Sequence, residues 1–139
     1  MPHKTNFGNY PMMAFIKKFP LTLLCVLTIW YLCLFRPPHV SLFDNITCFD
    51  KWVHMSMYLG TCSIFWLEYL RSSWRWSLKV QVLVAVVAPI VMSGLIELAQ
   101  NYLTTYRSGE WADFIANSTG VLLALVVRQV LQHVLTRNK

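Results

Sequence analysis

The chain predicts an all-α fold, a bundle of four transmembrane helices with both termini on the cytoplasmic side. Composition, the spacing of apolar runs and the placement of basic residues carry that expectation. Of 139 residues, 56% are hydrophobic and only 13% are charged, about half the charged share of an ordinary soluble domain. The length suits one domain, and the charge deficit is a membrane signature.

Four apolar runs follow in order. The first is "FPLTLLCVLTIWYLCLF", about residues 19–35, bracketed by Lys17, Lys18 and Arg36 and preceded by a cytoplasmic segment, residues 1–18. The others cover about residues 52–70, 80–99 and 114–134. A bilayer core takes roughly 20 apolar helical residues, with a range of about 17–25. Pro89 inside the third run predicts a kink, which a membrane helix tolerates when neighbours satisfy the freed carbonyl. The first run lacks the small-residue pattern of a signal-peptide cleavage site, so it is expected to be retained as a helix.

Basic residues orient the bundle. Lys4, Lys17, Lys18, Arg71, Arg75, Lys79, Arg128, Arg137 and Lys139 flank one side, and Arg36, Lys51 and Arg107 the other. By the positive-inside rule the richer side is cytoplasmic, which implies a multi-pass membrane protein with both termini inside. The formal charge of +6 is spread over three flanks, without the concentrated patch that nucleic acid binding needs. The expected partner is the lipid bilayer. Three of the four cysteines, Cys25, Cys33 and Cys62, fall in expected spans, and Cys48 lies in an outer loop. Neither a disulfide framework nor a metal motif is visible, so no cofactor or metal is expected.

The polar residues gather at the outer end. Asp50, His54 and Tyr58 share one helical face by their spacing of four, and Ser93, Glu97 and Gln100 share another. Asp113, Asn117 and Gly120 form a third stripe, and Arg107 in the short loop before it can fold back on a carboxylate. Lipid cannot satisfy such groups, so the stripes are expected to face one another. Ala112, Ala116 and Gly120 make a small-xxx-small run that permits close helix packing. Each residue also has a plainer reading. Asp50 and Asp113 suit helix starts, where the dipole favours them. His54 suits a packed interface, Gln100 and Asn117 suit interhelical glue, and Glu68 suits snorkelling beside Arg71. Glu97 has no capping excuse, because the dipole disfavours a carboxylate at a helix C-terminal end.

Taken together, "DKWVHMSMYLG", "IELAQ" and "YRSGEWADFIANSTG" resemble the VanZ-like family of small bacterial membrane proteins. Asp50, His54 and Tyr58 match its first element, and Glu97 and Gln100 its second. Arg107, Ser108, Asp113, Asn117 and Gly120 match its third, so the similar region covers about residues 50–134. The first helix carries no family signature. The resemblance implies a cell-envelope protein linked to glycopeptide (teicoplanin) susceptibility and antibiotic resistance, whose polar outer face meets a lipid-linked, glycopeptide or cell-wall ligand.

Two kinds of function remain open from sequence. A binding protein would use Asp50, His54, Tyr58, Glu97, Gln100, Arg107, Asp113 and Asn117 as a pocket, with Arg107 pairing an anion and apolar walls holding an acyl chain. An intramembrane hydrolase or transferase acting on a lipid-linked substrate would use Glu97 or Asp113 as base and His54 as its acid/base partner. A metal held by His54, Glu97 and Asp113 is a variant of the enzyme reading, although no tight ligand spacing is present. A purely structural lock of interhelical hydrogen bonds would also explain the stripes.

Overall fold

A computed structural model describes residues 11–35, 48–105 and 109–137. All regular structure among them is helical. In chain order, α1 spans Met12–Lys18, α2 Pro20–Leu34 and α3 Phe49–Arg71. α4 spans Leu78–Leu103 and α5 Trp111–Arg137. The last three contain the expected runs and extend each by a few residues. α4 and α5 are long and apolar enough to cross a bilayer, and α1 with α2 adds a third if their 90° bend is taken as one broken span. α3 has the length, 23 residues, but it is the most enclosed helix. Its neighbours, not lipid, surround its polar stripe, so it has no need of the same apolarity.

The first run therefore departs from a simple span. Pro20 sits at the start of α2, where its missing N–H costs nothing, and the chain turns sharply before it. α1 was not foreseen. It lies across the end of the bundle, exposing Met12, Met13 and Ile16 while Phe15 packs inward against Phe19 and Trp76. Exposed Leu24, Leu27 and Tyr31 on α2, Val91, Leu95 and Leu98 on α4, and Leu122, Val126 and Val130 on α5 give the bundle an apolar outer surface. Soluble monomers rarely expose contiguous apolar area beyond a few hundred Å².

Glu68 corrects the snorkelling expectation. Its carboxylate accepts the backbone N–H groups of Leu21 and Thr22, both at 3.0 Å, and the Thr22 hydroxyl at 2.6 Å. A carboxylate on α3 thus caps the start of α2, satisfying donors that have no partner within that helix and complementing its dipole. Glu68→Ala is expected to destabilise the protein by about 2 kcal/mol, read from unfolding in mixed micelles, whereas Glu68→Gln should cost less because one acceptor remains.

Pro89 does not interrupt α4. The five residues Leu83–Val87 wind as a π-helical segment, and the Ala88 N–H reaches back to the Leu83 carbonyl. The wider turn makes room for a proline ring that would otherwise press on the carbonyl four residues earlier. Below it, the link between α3 and α4 forms an aromatic plug. Trp74 and Trp76 are buried beside Phe19, Phe65 and Tyr69, and the Tyr69 hydroxyl accepts the Trp76 N–H. α4 and α5 pack antiparallel as expected, but the main partner of α5 is α3.

Candidate functional site

At the end of the bundle where the sequence places the outer face, α3 and α5 begin close together, and their first turns bring opposite charges into contact. Asp113, 2% exposed, forms an ion pair with the Lys51 ammonium at 2.6 Å. The same ammonium binds the Glu110 carboxylate and lies 3.9 Å from Asp50. Burial works against the charge on Lys51, but its contacts with the Asp113 and Glu110 carboxylates outweigh it and raise the lysine pKa above its ordinary value. Its charge is therefore held at any physiological pH. His54, one turn further in, lies 3.8 Å from both Asp50 and Asp113.

Ligand atoms of Asp50, His54 and Asp113 fall within 4.8 Å of one another, a spacing that suits a metal ion. The group differs from the variant weighed in the enzyme reading: Asp50 stands in it where that variant had Glu97. Lys51 argues against a resident metal, since its ammonium already neutralises Asp113, and a divalent cation would have to displace it.

The remaining predicted residues fasten helices deeper in the bundle. Asn117 on α5 donates to the Ser93 hydroxyl on α4 at 2.9 Å, and the Tyr58 side chain on α3 is buried beside it. Three helices meet there around buried polar groups. Gln100 on α4 donates to the Cys33 carbonyl at the end of α2, at 2.9 Å. Glu97 accepts the backbone N–H of Glu110 just ahead of α5, which supplies the capping role that the sequence had seemed to deny it. The helix it serves is its neighbour, not its own. Gly120 lies directly against α3, and a Cβ there would collide with the Met55 carbonyl and the Leu59 amide. Ala116 is half-buried, and Ala112 is exposed. Arg107 and Ser108 fall outside the described residues.

Lys51 and Glu110 were missed as partners. A tally of outer charges points to them, because Asp50, Glu110 and Asp113 lie on a side with few cations. Asp50 is not the N-cap of α3 either; Cys48 holds that position, with left-handed φ, and Asp50 lies in the first turn.

Beside this network a cleft of about 420 Å³ opens between α4 and α5, within the usual range for small-molecule sites, about 300–1,000 Å³. Val91, Leu95, Leu98 and Phe114 line its deeper part, and Asn101 and Glu110 its outer rim. Of the predicted residues, Glu97 lines it. Exposed Trp111 and Tyr102 stand at the same level, as aromatic side chains do at a membrane surface.

The class these features define is a helical protein with membrane-spanning character and a polar, charge-paired end where α3 and α5 begin. The chain matches no family model, no curated protein and no solved structure.

Proposed function

We propose that the protein is a VanZ-like, four-span component of a bacterial cytoplasmic membrane, with both termini inside, that binds a lipid-like amphiphile at its outer face and thereby alters teicoplanin susceptibility. The observation that carries this reading is the cleft between α4 and α5. Its floor is apolar and faces outward from the bundle, while its rim offers an amide at Asn101 and a carboxylate at Glu110. Such a cleft takes an acyl chain attached to a head group rich in hydroxyl or amine donors. The motif resemblance over residues 50–134 supplies the envelope setting, and the buried network behind the cleft supplies rigidity.

Leu98→Trp tests the proposal. Leu98 is half-exposed and lines the cleft, so the larger ring fills the site without entering the core. In a host lacking its own copy, the variant should reach wild-type membrane abundance yet return teicoplanin susceptibility to the level of the empty host. A glycopeptide without an acyl chain should show no such change. Wild-type protection by the filled variant would sink the proposal.

A second reading, an intramembrane hydrolase or transferase, draws on His54 standing between two carboxylates. Glu97→Gln separates the two, because glutamine keeps an acceptor for the Glu110 N–H. A binding protein should lose its effect partially, and an enzyme using Glu97 as base should lose it entirely at unchanged abundance.

A further inference from the structure

The opposite end of the bundle holds a second cavity, of about 490 Å³, and its chemistry is the reverse of the outer end. Arg71, Arg75 and Arg128 line it together with Gln81 and Gln132. Among the described acidic residues, Asp50, Glu110 and Asp113 belong to the cluster at the start of α3 and α5. Glu97 accepts the Glu110 amide and Glu68 caps α2. None of the described carboxylates forms an ion pair with the three arginines.

Arginines that only set topology sit on flanks and reach freely for water or head groups. Arg128 does not. It stands more than two turns inside the end of α5, with its guanidinium 4.5 Å from the Trp66 ring and donating to the Gln81 side chain at 2.9 Å. Its Nε is buried with no hydrogen-bond partner. Arg75 is also held, its guanidinium donating to the Ser72 and Trp74 carbonyls at 3.2 and 3.0 Å. Two held guanidinium forks and a third arginine at the rim, with no described carboxylate paired to them, match a doubly or singly charged oxyanion, and phosphate fits the fork geometry best.

We infer that this inner cavity binds a phosphate group, carried either by an anionic phospholipid head group or by a soluble phosphate ester. The Trp66 face and Gln81 hold Arg128 ready, so little ordering is needed when the anion arrives. The site shares no residue with the outer cleft.

The test uses the full chain in maltoside micelles, which contain no phosphate. Thermal unfolding is followed against inorganic phosphate, against potassium chloride at matched ionic strength, and against doping with phosphatidylglycerol or with uncharged diacylglycerol. Saturable stabilisation by phosphatidylglycerol alone assigns the site to a lipid head group, and stabilisation by inorganic phosphate as well assigns it to phosphate groups generally. Arg71→Gln and Arg75→Gln, both on the exposed rim, should each weaken the apparent Kd about tenfold. Arg128→Met keeps an apolar contact with Trp66 and should weaken it at least as much. If chloride stabilises equally, or if the two rim variants respond as wild type, the inference is wrong.

Discussion

Replacing Lys51 with methionine is expected to destabilise the protein by about 3 kcal/mol, because it leaves Asp113 buried without its cation. The lower part of the range for broken buried pairs applies, since Lys51 is 26% exposed and water reaches it. The double change Lys51→Met with Asp113→Leu should recover most of the loss, as removing both partners of a buried pair often does. Unfolding free energies in mixed micelles for the two single variants and the double variant give the coupling. A coupling under about 0.5 kcal/mol would mean the clasp is ornamental. The pH dependence follows from the raised lysine pKa. A base held above its ordinary pKa contributes stability that is complete below that ordinary value and is lost as pH rises through the folded one. The lysine side of the clasp should therefore stay intact from neutrality to about pH 10 and weaken only above it.

The second large effect is expected at Gly120. An added methyl there meets backbone atoms of α3, the Met55 carbonyl and the Leu59 amide, and backbone cannot swing aside as a side chain can. Gly120→Ala should cost about 3 kcal/mol, and Gly120→Val should prevent accumulation of folded protein. Gly60 is the internal control. A Cβ at that position meets nothing within 4 Å, so Gly60→Ala should be neutral or slightly stabilising. Comparable losses at both positions would show that glycine flexibility, not the close approach of α3 and α5, is the requirement.

Helices α3, α4 and α5 were legible because their apolar content extends over the right length and their polar residues repeat at helical spacing. The convergence of the stripes was legible for the same reason: Asn117, Ser93 and Tyr58 do meet. What escaped is long-range. No local pattern says that Glu68 on α3 serves the start of α2, or that Glu97 accepts from the chain ahead of α5, because a cap supplied by another helix leaves no mark in the sequence around it. Lys51 was legible only as a flanking cation, because nothing local in the sequence pairs it with Asp113. Trp74 and Trp76 lie between two apolar runs, and alternation over so few positions does not reveal a buried plug. The small-residue run named the right glycine but not its partner, which proved to be α3 and not α4.

The two ties on α2 bear on the order of synthesis. Its beginning is held by Glu68 and its end by Gln100, residues 46 and 67 positions later than the groups they hold. A ribosome releases α2 well before either tie exists. Until Glu68 emerges, the leading amides and the Thr22 hydroxyl of α2 must find temporary partners in water or lipid head groups. A helix made early in synthesis is thus among the latest to be secured, and both of its ends wait for residues of α3 and α4.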